Sequence, residues 1–274
     1  MSGKAEREKQ RFKKPTGTKR LENRFAPMVS KAQSKRIRSL ADGRSRRAEG
    51  AFVVEGAKLC EEWLRSPDAR IETLVCTEEW ADRNSALLKA HSDIEVFVQP
   101  AHVLGALSNL TTPSDVLLVV ALPEPPESLP TLGWCLALDT IQDPGNMGTI
   151  LRIADWFGIP DVVCSPGCAD AYAPKVVQAG MGAQLRVRVH SADLLPFISS
   201  VKLPVLAAAL DGENVYEMKH LPEGVLLVGN ESRGLSDDLL SVASRRVTIP
   251  RRGGAESLNA AVSAGILCAL LMEH

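Results

Sequence analysis

The sequence lacks the features that direct a chain into or across a membrane. Its longest apolar run, residues 260–272, is too short and too interrupted to span a bilayer. The N-terminus is charged and has no apolar stretch, so it does not match a secretory signal. We therefore expect a cytoplasmic protein with no membrane segment.

Common nucleotide and metal motifs are also missing. No G-x-G-x-x-G segment follows a strand, since Gly180-Met-Gly182 lacks the third glycine, and there is no G-x-x-x-x-G-K-[ST] segment. Dinucleotide and P-loop sites are therefore unsupported. Of the six cysteines, only Cys164 and Cys168 form a close pair, and no second pair or histidine cluster could complete a zinc site. We expect no bound metal.

The net charge of −1 conceals a strong asymmetry along the chain. Residues 1–50 contain 16 Lys and Arg against 5 Asp and Glu, whereas the remainder contains 16 basic and 28 acidic residues. A basic arm on an acidic body is typical of proteins that bind a polyanion, most simply nucleic acid. A solvated tail is the alternative, but basic charge continues past the arm at Arg44, Arg46 and Arg47, which favours nucleic acid.

Strands that alternate with helices predict an α/β protein in two parts. Residues 1–28, rich in Lys, Arg and Glu, are expected to be a basic disordered arm. Residues 29–121 are expected to form a small α/β domain with a mainly parallel sheet, in which residues 44–50 are a basic loop. Residues 122–132 contain four prolines and form a linker. In residues 133–274 the alternation repeats, which predicts a parallel sheet covered on both faces.

Polar residues collect after two strands near the C-terminus. One apolar strand leads into Gly229-Asn-Glu231, and a second short strand ends just before an Arg- and Gly-rich loop. Ser257-Leu-Asn259 then opens the last apolar helix. Open α/β sheets place their ligand sites at the carboxyl ends of parallel strands. We therefore expect the functional site in this part of the chain.

An upstream segment, residues 139–152, is expected to supply the other half of the site. It follows a strand and opens a helix through a turn at residues 143–145, with Asn146 as the expected helix cap. Gly148 is expected to allow close approach of another backbone. A capped helix with a solvated Arg152 would give the same pattern, so this segment alone does not establish a site.

Taken together, three segments resemble the SpoU/TrmH family of S-adenosylmethionine-dependent RNA 2′-O-ribose methyltransferases, within the SPOUT superfamily. In chain order they are DTIQDPGNMGTILRIA, LLVGNESRGLS and VTIPRRGGAESLNAAVSAGILCALL. The close resemblance covers residues 131–274. Residues 30–120 resemble the small α/β substrate-binding domain that many members carry in front, and the arm has no counterpart.

The resemblance implies a fold and a cofactor that periodicity alone does not predict. It implies a parallel sheet whose C-terminal segment forms a deep trefoil knot, an exception to the usual rule against knots. S-adenosylmethionine is expected to sit in the knot, held largely by backbone around Gly229, Ile249 and Leu258. In the family the site is completed across a homodimer interface, so Arg152 is expected to reach toward the partner's cofactor.

The resemblance also implies roles for five residues. Arg152 is the family's proposed base, acting with a substrate phosphate, but arginine normally stays protonated and is better suited to phosphate binding and electrostatic stabilisation. Ser257 and Asn259 are expected to position the ribose or phosphate, and Glu231 to support the loop. No histidine falls in the three segments, so the usual general base is missing. The five residues are Asn146, Arg152, Glu231, Ser257 and Asn259.

The third segment departs from the family at one point. Where the family often has an apolar residue after Ile-Pro, this chain has Arg251-Arg252. The two arginines are expected either to add a contact to RNA or to alter how the cofactor loop closes.

We expect an enzyme that methylates a ribose 2′-hydroxyl in ribosomal RNA. The two-domain layout and the basic arm favour rRNA over tRNA as the substrate. The alternatives are a tRNA 2′-O-methyltransferase, a non-catalytic RNA-binding or ribosome-assembly protein, and a methyltransferase for a base or a small molecule. The choice of the 2′-oxygen follows from the resemblance alone.

Overall fold

The computed structural model describes residues 28–230 and 232–273. Apart from Met28, the expected basic arm at residues 1–28 lies outside the described residues. The described residues form a four-stranded and a six-stranded sheet. No helix in these ranges is long and apolar enough to cross a membrane.

The four-stranded sheet occupies the first part of the described chain. Its strands are β1 (Ala51–Glu55), β2 (Ile71–Cys76), β3 (Glu95–Val98) and β4 (Val116–Ala121). The accompanying helices are α1 (Lys31–Ser39), α2 (Gly43–Glu49), α3 (Ala57–Arg65), α4 (Glu78–Arg83), α5 (Ser85–Lys89) and α6 (Ala101–Leu107). The strand order is β1-β4-β2-β3, and apolar side chains cover both faces.

The expectation of a mainly parallel sheet is wrong for this part of the protein. The β4 strand runs antiparallel to β1 and to β2, and only β2 and β3 are parallel. After the seven-residue helix α6 the chain does not return to the starting edge of the sheet, and β4 begins beside the end of β2. There the Thr77 amide donates to the Asp115 carbonyl at 2.9 Å.

Residues 44–50, expected to be a basic loop, belong instead to helix α2 and its C-cap. The Asp42 side chain caps the helix, and Gly50 ends it in the left-handed conformation (φ 62°). Arg46 is buried, with its guanidinium bonded to backbone carbonyls of the preceding turn and to Asp170 at 2.6 Å. Asp170 lies 124 positions further along the chain, so this support for the helix cannot be read from local sequence.

The six-stranded sheet occupies the second part of the chain. Its strands are β5 (Trp134–Leu138), β6 (Asp161–Cys164), β7 (Arg188–Ser191), β8 (Val205–Asn214), β9 (Gly224–Val228) and β10 (Arg245–Thr248). Its helices are α7 (Pro144–Trp156), α8 (Pro174–Gly180), α9 (Leu194–Ser200), α10 (Asp237–Val242) and α11 (Ala260–Leu271). The order is β10-β8-β9-β5-β6-β7, and every pair is parallel.

Apolar clusters cover both faces of this sheet, so the expected α/β fold with a covered parallel sheet is confirmed. Because all six strands are parallel, the turns that follow β5, β9 and β10 emerge at one edge. These turns contain the three segments singled out in the sequence. The trefoil knot stays a prediction of the resemblance.

The two sheets are packed against each other through α8. Tyr172 and Val177 join the apolar cluster around Phe52 of β1. The Gln178 side chain donates to the Glu55 carbonyl at 2.6 Å. Residues 122–133, which connect the two parts, contain no helix or strand. The first part is therefore held directly on the second.

Candidate functional site

A cavity of about 600 Å³ opens at the carboxyl ends of β8, β9 and β10. The three residues expected to hold the cofactor, Gly229, Ile249 and Leu258, all line it. The lining consists of residues 208–211, 228–230, 232–235, 247–253 and 255–258, with Leu240, Ala260, Ser263 and Leu267. Buried apolar side chains such as Val228 and Val247 form its floor, whereas residues 251–259 at the rim are exposed.

The cavity depends on a close backbone approach at Gly229. A Cβ atom placed on Gly229 would lie 2.4 Å from the carbonyl carbon of Gly234 and 2.6 Å from the Leu235 amide nitrogen. The Gly234 amide donates to the Asn230 carbonyl at 2.8 Å, which closes the turn after β9 onto itself. Only glycine fits at position 229 without displacing this turn.

Two of the expected catalytic residues are in direct contact. The Nδ2 atom of Asn259 donates to Oδ1 of Asn146 at 2.7 Å. The Oδ1 atom of Asn259 caps α11 by accepting from the amides of Ala261 and Val262 at 3.0 and 3.2 Å. The expectation that Asn146 caps α7 is wrong, because Asp143 is the cap and accepts from the Asn146 amide at 2.8 Å. The Asn146 side chain therefore contacts Asn259 rather than capping α7.

The start of α7 is held close to α8 by Gly148. A Cβ atom at Gly148 would lie 2.5 Å from the Cβ of Ala179 and 2.6 Å from the Val176 carbonyl oxygen. The expected close approach of another backbone is confirmed. This packing fixes the helix that carries Asn146.

The remaining expected site residues are not all brought together. Ser257 is exposed at the rim and lines the cavity. Arg152 is exposed on α7, does not line the cavity of its own chain, and makes no hydrogen bond or ion pair with another described residue. Glu231 lies outside the described residues. A single chain thus presents the cavity lined by Ser257 and, outside its lining, the Asn146–Asn259 pair and the exposed Arg152.

Comparison with protein families identifies both parts of the chain. Residues 133–269 match the SpoU rRNA methylase family, and residues 31–118 match the MRM3-like substrate binding domain. The first match alone spans half of the chain.

The chain belongs to the SpoU rRNA methylase family.

Relatives of this SpoU family member agree with the match over most of their length. The 23S rRNA (guanosine(2553)-2′-O)-methyltransferase of Bacillus subtilis is 32% identical over 82% of this chain and 89% of its own. An RNA methyltransferase of the TrmH family from Porphyromonas gingivalis has a solved structure that is 40% identical. The match covers 90% of this chain and 99% of the P. gingivalis chain, with a TM-score of 0.79. The AdoMet-bound rRNA methyltransferase of Sinorhizobium meliloti is 29% identical to this chain. The match covers 86% of this chain and 92% of the S. meliloti chain, with a TM-score of 0.75.

The SpoU cavity has the dimensions and lining that S-adenosylmethionine needs. Its volume of about 600 Å³ lies within the usual range of roughly 300–1,000 Å³ for small-molecule sites. The apolar floor suits an adenine ring, and the peptide groups of the turns at Gly229 and Ile249 supply donors and acceptors. Among the described residues, no group of three or more His, Cys, Asp or Glu side chains could hold a metal ion.

The sequence did not reveal how the turn after β5 is held. Thr140 has a left-handed backbone (φ 52°), a costly conformation for a β-branched residue. Its amide donates to Oγ of Ser165 at 2.9 Å, and its carbonyl accepts from Nδ2 of Asn230 at 2.9 Å. Asn230 therefore ties the second SpoU segment to the first. No local signal marks Thr140, whereas Asn230 lies within the Gly-Asn-Glu turn.

The Cys164–Cys168 pair lies under this turn and has two unlike thiols. A hydrogen bond from Cys164 lowers the pKa of Cys168 to about 7, and backbone amides and Ser165 act in the same direction. The same contact, together with burial, raises the pKa of Cys164. The Cys168 thiol donates to the Leu138 carbonyl at 3.3 Å. The residue with the lowered pKa, Cys168, therefore packs beneath the turn after β5 and does not line the cavity.

Proposed function

We propose that this protein transfers the methyl group of S-adenosylmethionine to a ribose 2′-hydroxyl of ribosomal RNA. The observation that carries the proposal is the cavity around Gly229, Ile249 and Leu258, with the Asn146–Asn259 pair nearby. Membership of the SpoU family and relatives named as rRNA 2′-O-methyltransferases support the choice of atom and of RNA. The AdoMet-bound relative supports the cofactor.

We assign the chemistry of this chain to alignment and charge. Bound S-adenosylmethionine supplies an electrophilic methyl group on a sulfonium. Holding the 2′-oxygen in line with that group removes much of the entropic barrier. Asn259 and Ser257 orient the ribose or its phosphate, and Asn146 keeps the Asn259 amide in place through the bond at 2.7 Å. Arg152 binds a substrate phosphate and offsets the negative charge that develops on the 2′-oxygen as its proton passes to solvent water. The S–CH3 bond breaks as the O–CH3 bond forms, so the donor would leave as neutral S-adenosylhomocysteine. Glu231 supports the loop after β9.

We further propose that the working unit is a homodimer. The family resemblance implies a position for Arg152 beside the partner's cofactor, and Arg152 does not line the cavity of its own chain. One turn along α7, Trp156 is 84% exposed, and on the neighbouring helix α11 Val262 is 51% exposed. Large exposed apolar side chains on two packed helices are suited to burial against a second copy.

The division of labour within the chain is also part of the proposal. Residues 29–121 bind the RNA substrate, residues 122–132 form the linker, and residues 133–274 catalyse the transfer. The protein acts in the cytoplasm, where its thiols stay reduced. This placement is supported by the six cysteines, all of which are free.

The experiment that tests the function is transfer of a radiolabelled methyl group to unmodified RNA. We expect one S-adenosylmethionine bound per chain by calorimetry, and label on 23S rRNA transcripts but not on tRNA. A methylated ribose resists alkaline cleavage at its own linkage, so the label should be recovered in an alkali-resistant dinucleotide. Label recovered on a base, or on tRNA alone, would contradict the proposal. A folded chain that binds rRNA without binding the cofactor would be a non-catalytic RNA-binding protein.

The first two helices provide a surface for RNA. Lys31, Lys35 and Arg38 follow one face of α1 at positions i, i+4 and i+7, and Arg44 and Arg47 project from α2. We call these five residues the α1–α2 basic face. All five are exposed, and within the described ranges none forms an ion pair with a carboxylate. By contrast, the arginines at 36 and 46 are paired with acidic residues. Exposed cations without an ion pair, on two consecutive helices, are typical of a phosphate-binding surface.

Neutralising part of the α1–α2 basic face should weaken RNA binding without affecting the cofactor. For the triple variant K35Q/R38Q/R47Q we expect weaker rRNA binding and a salt slope smaller by about 2, at ~0.7 per single-strand phosphate contact. Filter binding of 23S transcripts over a range of KCl concentrations measures both quantities. The matched control is R65Q/R70Q/R83Q, which also removes three charges but from arginines paired with Glu61, Glu124 and Asp115. Equal losses in the two variants would show that only total charge matters.

A further inference from the structure

Four arginines lie within eight residues around the end of β10, and they fall into two classes. Arg245 forms an ion pair with Glu213, and Arg246 with Asp211 at 2.7 Å, both acids being on β8. Arg251 and Arg252, just beyond Pro250, form no ion pair with a described residue. The charges of Arg245 and Arg246 are balanced by carboxylates within the sheet, whereas no described carboxylate balances those of Arg251 and Arg252.

The unpaired arginines are at the mouth of the cavity. Arg251 and Arg252 line it and are exposed, and Arg233 joins them from the turn after β9. Among the described residues that line it, two carry carboxylates, and of these Asp211 is already held by Arg246. Within that part of the lining, three guanidinium groups therefore accompany one carboxylate without an ion pair, that of Glu256. The mouth attracts anions.

The loop that carries the two arginines leaves space for a large ligand. A Cβ atom added to Gly253 or Gly254 would touch nothing within 4 Å, and neither residue has a positive φ. Packing and backbone conformation therefore do not require glycine at these positions. Arg251 donates from Nη1 to the Ala255 carbonyl at 3.2 Å, which holds its stem along the loop and leaves its other donors available. The loop presents charge beside an open surface.

We propose that Arg251 and Arg252, with Arg233, bind backbone phosphates of the RNA next to the nucleotide being methylated. This inference rests on the proposed function, since it takes RNA as the ligand. A 2′-hydroxyl lies between two phosphates, so an anion site beside Ser257 positions the acceptor where it is needed. A guanidinium binds a phosphate through two parallel hydrogen bonds, which fixes orientation as well as distance.

The cofactor's carboxylate is the other anion that could reach this mouth. One S-adenosylmethionine carries one carboxylate with an ammonium group beside it, which matches a single cation better than three. RNA presents an anion at every nucleotide, and residues 251–259 face solvent throughout. The number of arginines and their exposure therefore favour RNA phosphate.

The test compares two double variants that remove the same charge. R251Q/R252Q removes the unpaired arginines, and R65Q/R83Q removes two exposed arginines that are paired with Glu61 and Asp115, outside the cavity. Each is titrated with a 23S rRNA transcript in the presence of S-adenosylhomocysteine, from low to high KCl. For R251Q/R252Q we expect roughly tenfold weaker binding and a salt slope smaller by about 1.4, at ~0.7 per contact. R65Q/R83Q should change RNA affinity less than about twofold, because neither these arginines nor their partners line the cavity.

Two further measurements make the result decisive. Calorimetry with S-adenosylmethionine should give the same affinity for R251Q/R252Q as for the wild type, and a clear loss would assign the arginines to the cofactor instead. R251K/R252K keeps both charges and should restore the salt slope, which also excludes misfolding as the cause. An unchanged RNA affinity and slope in R251Q/R252Q would overturn the inference. Because binding is read without methyl transfer, a wild type that binds RNA but does not methylate it would defeat only the proposed function.

Discussion

Arg152→Ala should lower methyl transfer to rRNA by about 10²–10³-fold, the usual loss when one group that stabilises developing charge is removed. The fold and the affinity for S-adenosylmethionine should not change, because Arg152 is exposed and has no partner among the described residues. Single-turnover transfer of labelled methyl groups, with calorimetry of the cofactor and a thermal melt, measures the three quantities. Arg65→Ala removes an equally exposed arginine and should leave the rate unchanged.

The same variant tests whether the active site is shared between two chains. A dimer of Arg152→Ala with a cofactor-dead chain has one complete site, formed by the intact cavity of the first and the intact Arg152 of the second. Mixing equal amounts of the two inactive variants should recover roughly a quarter of the wild-type rate if subunits exchange freely. No recovery in proven mixed dimers would place Arg152 in its own chain's site. Full activity of Arg152→Ala alone would remove it from the mechanism.

Gly229→Ala should abolish S-adenosylmethionine binding and destabilise the protein. The added Cβ would lie 2.4 Å from the carbonyl carbon of Gly234, a contact that only a shift of the turn after β9 could relieve. Overpacking of this kind costs about 1–3 kcal/mol of unfolding free energy. Calorimetry should show no cofactor binding, and urea unfolding should show the loss of stability.

The matched control for this change is Gly253→Ala, which is on the rim of the same cavity. An added Cβ at Gly253 would meet nothing within 4 Å, so we expect its unfolding free energy to match that of the wild type. If Gly229→Ala bound the cofactor as well as the wild type did, the cavity after β9 could not be the methyl-donor site. Gly229→Ala is also the cofactor-dead chain for the mixed dimers, provided that it still dimerises.

Most of the architecture followed from local sequence patterns, with two instructive errors. The six parallel strands were predictable because apolar runs alternate with helical segments. The same reasoning failed for the first sheet, where β4 pairs antiparallel with both β1 and β2. It also failed for α2, whose arginine at 46 is buried by a contact with Asp170. In both cases the outcome depended on contacts between segments far apart in sequence, such as Thr77 with Asp115 and Arg46 with Asp170.

In the candidate site, too, some features could be predicted from the sequence and others depended on contacts between distant segments. Gly229, Ile249 and Leu258 were found from the three segments, and they line one cavity because turns after neighbouring parallel strands emerge at one edge. The contact between Asn146 and Asn259 spans 113 positions of sequence and could not be inferred from either segment. The support of Thr140 by Ser165 and Asn230 was equally hidden, because nothing near Thr140 in sequence requires a left-handed backbone.

The sequence by itself therefore determined the sheet type of the second part, which depends on short-range pattern and strand order. Its resemblance to the SpoU/TrmH family indicated the family and the residues around the cavity. Only the tertiary structure decided which side chains contact each other, which arginines form ion pairs, and that Arg152 is exposed outside the cavity lining. Arg245 and Arg251 are both arginines near the end of β10, yet among the described residues only Arg245 forms an ion pair with a carboxylate. Hydrogen bonds and ion pairs act over a few ångströms, so they depend on how distant segments are brought together by folding.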